Sequence, residues 1–311
     1  MSIKMIVTDL DGTLLRDDKI ISERTLSALE CCRKNGVKVA YATGRGASTT
    51  TIVPHELFDG YAHVNGAKAY IGDKLVYNKP FLADDVRDML VAIQKAGFDV
   101  VAESGHFHYS NFDIAEKYPE WDIPVELVDF DTFDADDLEK VYVPIEVPKV
   151  EEIIRTHLAD HLYVCITHDG FAMIMNKDAT KSKATASLAE YWGIKQEEIV
   201  GFGDDTNDID LLQWCGIGVA MGNAIDEVKA VADQVCDTNE NDGIAKWLEN
   251  NVVVTDNSPK QSDFVLVRGS DAVRETQLQA KKSGVSEMIL DDINALIAES
   301  RTERANAEDR A

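Results

Sequence analysis

The stretch that most constrains this chain lies close to its start. There Ile3-Lys4-Met5-Ile6-Val7 runs into Asp9-Leu10-Asp11-Gly12-Thr13-Leu14-Leu15. An apolar, β-prone run that stops on two carboxylates and a glycine reads as a buried strand delivering acids to an open sheet edge. Side chains at i and i+2 of a strand share a face, so Asp9 and Asp11 are expected to look into one site. Gly12 and Thr13 let the chain turn sharply away. Two carboxylates this close repel, and the pair is tolerable only if a cation binds there or one acid keeps its proton. Phosphoryl transfer uses both conditions: one acid attacks phosphorus and binds Mg²⁺, and the other protonates the leaving oxygen.

Strands and helices alternate around this motif. Ser22 is placed to cap a helix through Leu26, Leu29 and Cys32 that stops at Gly36. A strand from Val37 to Ala42 ends on Thr43-Gly44-Arg45, and another from Tyr61 to Val64 ends on Asn65-Gly66-Ala67. The same rhythm returns at Lys181, with a helix through Leu188 and Trp192 that stops at Gly193. The strand Ile199-Val200-Gly201-Phe202 then delivers Gly203-Asp204-Asp205-Thr206-Asn207-Asp208, and a helix from Asn223 to Val231 comes later. Such alternation implies right-handed crossovers and a parallel sheet.

Between the two halves the pattern changes. Asp84 is expected to cap a helix ending at Gly97, followed by strands from Phe98 to Ala102, Phe107 to Ser110 and Val141 to Val147. Pro148 opens a helix, and Asp169-Gly170 signals a hairpin between Leu162–Thr167 and Phe171–Met175. The expected fold class is therefore α/β. A doubly wound, Rossmann-like parallel-sheet core spans 1–81 and 180–250, an inserted α+β domain spans 82–179, and a short C-terminal extension spans 251–311. The extension reads as strands at Val252–Val254 and Phe264–Val267, a polar helix from Ala272 to Lys282, and an amphipathic helix through Ile289, Ile293, Leu296 and Ile297. Past Thr302 the composition predicts disorder. The amphipathic helix is expected to pack on its own chain, the alternative being contact with a partner or second subunit.

Charge narrows the function classes. The 311 residues carry 56 acids against 31 bases, a formal net charge of −25. Such a surface repels nucleic acid and anionic membranes, which excludes both as expected partners. It also repels a phosphorylated metabolite, so a site for one has to concentrate its own positive charge, and a metal ion does that. The five cysteines show no metal-ligand spacing and read as thiols of a reducing compartment. No apolar run reaches membrane-spanning length, and no leader segment precedes the motif, so a cytoplasmic protein, monomer or homodimer, is expected.

In open α/β sheets ligands bind beyond the carboxyl ends of the strands, where each polar cluster sits. Octahedral oxygen ligation of Mg²⁺ accounts for the acids gathered there. Thr43 offers a hydroxyl to a phosphoryl oxygen and Gly44 allows close backbone approach. Lys181, at a helix start, supplies a point charge, and Asn207 can donate an amide N–H. Asp208 is better placed to orient Lys181 or a metal-bound water than to bind metal.

The motif order, Asp9-Leu10-Asp11-Gly12-Thr13, Thr43-Gly44-Arg45, Asn65-Gly66-Ala67, Lys181 and Gly203-Asp204-Asp205-Thr206-Asn207-Asp208, resembles the haloacid dehalogenase superfamily of phosphohydrolases. It is similar to that superfamily's Cof-like branch (type IIB), which carries a large α/β cap. The resemblance implies Asp9 as nucleophile and Asp11 as general acid/base, kept protonated by its neighbours. It implies Mg²⁺ on Asp9, the Asp11 backbone carbonyl and Asp204. Phosphate and substrate would meet Leu10, Thr43, Gly44, Arg45, Lys181 and Asn207, supported by Asn65, Asp205 and Asp208. One departure is Ser182, where the family usually has glycine; it leaves Lys183 as the fallback for Lys181. The implied activity is Mg²⁺-dependent hydrolysis of a small phosphomonoester, such as a sugar phosphate. The alternatives are a phosphosugar mutase of the same fold and a non-catalytic sugar-phosphate-binding regulator. His106 and His108 read as a surface pair, since no third metal ligand lies near them in sequence.

Overall fold

The structure, a computed structural model, describes residues 2–46, 52–53, 55–105, 107–118, 124–145, 147–167 and 170–252. The opening strand β1 (Met5–Thr8) is followed by α1 (Glu23–Lys34), β2 (Lys38–Ala42) and β3 (Gly60–His63). Ser22 caps α1 by accepting the Thr25 amide, a contact worth about 1 kcal/mol. An antiparallel hairpin then adds β4 (Lys68–Ile71) and β5 (Lys74–Asn78). The sequence reading does not contain this hairpin, although its turn holds Gly72 at φ 55°.

The middle of the chain forms β6 (Phe81–Leu82), α2 (Arg87–Lys95), β7 (Val101–Ser104), β8 (Phe107–Ser110), α3 (Ile114–Lys117), β9 (Val125–Leu127) and β10 (Asp137–Leu138). After these come β11 (Lys140–Pro144), α4 (Pro148–His157), β12 (Leu162–Ile166) and β13 (Phe171–Asn176). The last third supplies α5 (Lys181–Trp192), β14 (Ile199–Gly203), α6 (Ile209–Trp214), β15 (Ile217–Ala220), α7 (Asp226–Val231), β16 (Gln234–Val235) and α8 (Gly243–Asn251).

Two large sheets result. The first has eight strands in the order β16-β15-β14-β1-β2-β3-β4-β5. It is parallel from β16 to β3, and β4 runs antiparallel to both β3 and β5. Period-two alternation sends its side chains to two separate cores. Ile6, Val39, Tyr41, Val200 and Phe202 pack with Leu29 of α1 and Ile244 and Leu248 of α8. Met5, Val7, Ala40, Ala42 and Ile199 pack on the other side with Leu188 of α5 and Leu211 of α6. Helices on both faces make the sheet doubly wound, as expected. Alanines at Ala40, Ala42, Ala62 and Ala69 face the α5 side, where Ala184 lies in the same cluster.

The second sheet has six strands in the order β12-β13-β11-β7-β8-β9. One face, with Ala102, Val141, Val143 and Ile174, is covered by Leu90 and Ile93 of α2 and Ile154 of α4. The expected β12–β13 hairpin is present and antiparallel.

Some element ends differ from expectation. Asp84 does not cap α2; it lies in a 3₁₀ turn and accepts the Arg87 guanidinium, and the helix begins after Val86. The expected strands at Phe98 and Val141 start at Val101 and Lys140, and the helix expected from Asn223 starts at Asp226. His106, Asp169 and the expected elements of the extension beyond residue 252 lie outside the described residues. Among the described residues, no helix is long and apolar enough to cross a membrane.

Candidate active site

Three neighbouring parallel strands, β14, β1 and β2, end side by side, so the residues that follow each one meet at a single edge. Asp9 follows β1, Thr43 follows β2 and Asp204 follows β14. The register brings in a fourth segment: α5 starts at Lys181, behind the Thr180 cap, and sends its ammonium to this edge. Lys181 Nζ donates to Asp9 Oδ1 at 2.7 Å and to Asp208 Oδ1 at 2.6 Å, fully buried. Lys183 Nζ bonds Asp178 and the Lys177 carbonyl at the surface, so it lies outside this cluster.

Asp208 is spoken for on both oxygens. Its Oδ2 accepts the amides of Asp204 at 3.0 Å and Asp205 at 3.2 Å, which folds the loop after β14 back on itself. Gly203 permits this, because a Cβ there would overlap the Asp208 side chain. Asp205 starts the loop's 3₁₀ turn by accepting the Thr206 amide. Asp208 thus holds the Lys181 ammonium beside Asp9.

Carboxylate oxygens of Asp9, Asp204 and Asp208 lie within 4.8 Å of one another. Thr13 Oγ donates to Asp204 Oδ1 at 2.5 Å, and Gly12, at φ 72°, brings its backbone against the same carboxylate. Among the described residues, Oδ2 of Asp9 and Oδ2 of Asp204 receive no hydrogen bond. Burial raises the pKa of Asp9, helped by the charges of Asp208 and Asp204 and opposed by Lys181. Burial and Asp208 push Asp204 up to about 7. Three acids, two of them buried and Asp204 half-buried, against one lysine leave negative charge unbalanced, and free oxygens on two of them suit a hard divalent cation.

Asp11 departs from the expectation. β1 ends at Thr8, and the two acids of the motif take different partners. Asp11 receives a bidentate contact from Arg45, Nε at 2.5 Å and Nη2 at 2.7 Å, and Lys19 Nζ at 2.8 Å. Burial pushes its pKa up, but the hydrogen bonds and charges of Arg45 and then Lys19 outweigh that and hold it at about 2. Asp11 is therefore ionised here, not protonated as expected. Arg45, expected against substrate, spends its guanidinium on Asp11.

The remaining predicted residues line the edge. The Thr43 hydroxyl accepts the Arg45 amide at 3.2 Å and keeps its own proton to donate. Asn207 Nδ2 donates to Asn65 Oδ1 at 2.8 Å, and both lie against Gly44. Asn65 sits in the left-handed region at φ 52° and points its Nδ2 at Met173 Sδ, 3.0 Å away on β13. The Leu10 side chain belongs to the core; its carbonyl accepts the Leu15 amide. Sequence reasoning missed several participants. Thr13 was visible as part of the motif. Lys19 and Asn223, which donates to the Gly12 carbonyl at 2.7 Å, carried no local signal.

Residues 6–248 match the haloacid dehalogenase-like hydrolases. The chain belongs to that family. Among relatives of this hydrolase is the 5-amino-6-(5-phospho-D-ribitylamino)uracil phosphatase YitU of Bacillus subtilis, 31% identical over 260 residues, covering 79% of this chain and 96% of the relative. A solved sugar phosphatase of HAD subclass IIB superposes with a TM-score of 0.71 at 28% identity, covering 79% of this chain and 98% of that one. A HAD-superfamily phosphatase from Bacteroides thetaiotaomicron does so with a TM-score of 0.71 at 30% identity, covering 80% and 95%. The chain is thus a HAD-type hydrolase of the Cof-like branch, whose relatives act as phosphatases.

Proposed function

We propose that this hydrolase is a Mg²⁺-dependent phosphatase of small metabolites, sugar and polyol phosphates foremost, working through a phosphorylated Asp9. One observation carries the reading: the Asp9 carboxylate is pinned by Lys181 on one oxygen, beside the acids Asp204 and Asp208. In this reading residues 1–81 and 180–250 are the catalytic core and 82–179 the cap, and the enzyme works in the cytoplasm.

Lys181 steadies the Asp9 carboxylate through Oδ1, and one carboxylate oxygen of Asp9 forms a bond to phosphorus as the ester oxygen departs, the other remaining for the metal. Asp9, Asp204 and the Asp11 carbonyl are the groups that would hold Mg²⁺, whose chemistry is to offset the charge these acids and a phosphoryl group bring together. Thr43 and Asn207 can donate to phosphoryl oxygens. Asp11 gives its proton to the departing alcohol and then takes one from the water that attacks the acyl phosphate, releasing inorganic phosphate. Because Arg45 holds Asp11 ionised, Asp11 can carry that proton only when Arg45 turns away. An incoming phosphoryl group is the anion that would draw it.

The named substrate of the Bacillus subtilis relative is a ribityl phosphate, which puts polyol phosphates at the head of a test panel. Inorganic phosphate release should require Mg²⁺, stop with a chelator, and fall by at least about a thousandfold in Asp9→Asn. Release without a bisphosphate activator separates this reading from a mutase. Turnover that survives both the chelator and Asp9→Asn would sink it.

A further inference from the structure

The six-stranded sheet carries a row of charged side chains that the reaction above does not use. Register pairs Lys140 of β11 with Glu103 of β7, and Glu103 with His108 of β8, so the three stand side by side on one face. This row lies over the loop after β2. Lys140 Nζ donates to the Gly44 carbonyl at 2.9 Å, and a Cβ on Gly46 would collide with Glu103 Oε1. Gly44 in turn touches Asn65 and Asn207 of the candidate active site. The row therefore sits beside the Gly44, Asn65 and Asn207 cluster of the candidate active site.

Buried polar atoms are nearly always hydrogen-bonded, and exceptions mark places where something else binds. Glu103 is only 1% exposed, and while its Oε2 pairs with Lys140, its Oε1 accepts no hydrogen bond among the described residues. Nδ1 of its neighbour His108 is also buried and without a hydrogen-bond partner. Lys140 stands 3.0 Å from Glu103 Oε2, so its charge is already matched, and its remaining reach goes to Gly44. Burial, partly offset by Glu103, lowers the His108 pKa and favours the neutral ring, whose Nε2 lies 3.7 Å from Glu103 Oε2. The row thus offers an unpaired acceptor at Glu103 Oε1 and no spare positive charge.

We propose that Glu103 and His108 form the leaving-group subsite, selecting neutral leaving groups with hydroxyl or N–H donors over those that carry a second anion. This rests on the phosphatase reading. A polyol or sugar supplies a donor to Glu103 Oε1, beside the neutral His108 ring. A second phosphate or a carboxylate would instead meet a buried carboxylate whose one cation is taken.

The test compares kcat/KM of the wild-type enzyme with Mg²⁺ on four probes: a pentitol phosphate, p-nitrophenyl phosphate, phosphoglycolate and a sugar bisphosphate. The pentitol phosphate should exceed the two anionic probes by at least about tenfold, the worth of one hydrogen bond to a charged group. In Glu103→Gln that margin should shrink. The loss on the pentitol phosphate should be at least about tenfold larger than the loss on p-nitrophenyl phosphate, which has no donors. Because Glu103→Gln strands the Lys140 charge, the double variant Glu103→Gln/Lys140→Met provides the same comparison in a neutral row. Wild-type preference for phosphoglycolate or the bisphosphate, or equal losses on all probes, overturns the subsite and leaves the phosphatase reading standing. No phosphate release from any probe overturns that reading, and the subsite with it.

Discussion

Lys181 is the most heavily committed side chain in the site. Its ammonium is buried between Asp9 and Asp208, whose charges outweigh the burial and push it further toward the protonated form. Replacing it by methionine leaves two acids buried without their cation. Lys181→Met should therefore cost about 3–5 kcal/mol of stability, read by urea denaturation, and abolish phosphate release. Lys183→Met, which breaks only the half-exposed contacts with Asp178 and the Lys177 carbonyl, should cost about 1 kcal/mol or less and leave turnover intact. Equal effects at the two positions would contradict the assignment. A second consequence concerns pH. Asp204, pushed up to about 7, binds its proton more tightly in the folded chain than in the unfolded one. Metal-free protein should then lose stability as pH rises from the ordinary carboxylate range, about 4, through about 7. Mg²⁺ should raise the thermal midpoint more at about pH 8 than at about pH 5, where protons compete for the same oxygens. A Mg²⁺ shift of the same size at both values would count against cation binding by this acid.

Elements decide which of these residues could be read from sequence. Asp9, Thr43 and Asp204 were legible because each ends a strand of one parallel sheet, and strand ends of such a sheet share an edge. Lys181 was legible because Gly193, at φ 68°, stops the helix it begins. The ionisation of Asp11 was not, because it depends on Arg45, 34 residues away, and on the loop that turns its guanidinium inward. The β4–β5 hairpin was missed for another reason. Its strands join the edge of a parallel sheet, and the expectation of alternating helices masked a Gly72-Asp73 turn. Glycine geometry gives a test at this scale. Gly12 and Gly36 both hold positive φ, 72° and 83°, but only a Cβ at Gly12 runs into Asp204. Gly36→Ala should cost about 1–2 kcal/mol and spare activity. Gly12→Ala should pay the same backbone strain and also weaken Mg²⁺ binding, measured by titration calorimetry. Identical metal affinity in the two variants would show that Asp204 is not a ligand.

At the scale of the whole molecule, two sheets meet over the active-site loops. Lys140 reaches the Gly44 carbonyl, Lys68 pairs with Glu139, and Asn65 meets Met173. None of these contacts was readable from sequence, since each depends on how one sheet packs over the other. Every candidate site residue falls between Asp9 and Asn223, inside the family match that ends at residue 248. A chain ending at residue 252 should therefore fold and release phosphate within about twofold of the full-length rate; a larger loss would assign residues 253–311 a part in catalysis. The central claim remains that Asp9 takes the phosphoryl group. Acid quenching during turnover, followed by peptide mass spectrometry, reads this directly. The account predicts one added phosphoryl group on the peptide holding Asp9, absent from Asp9→Asn; a phosphoryl group on any other residue, or none while turnover continues, would contradict it.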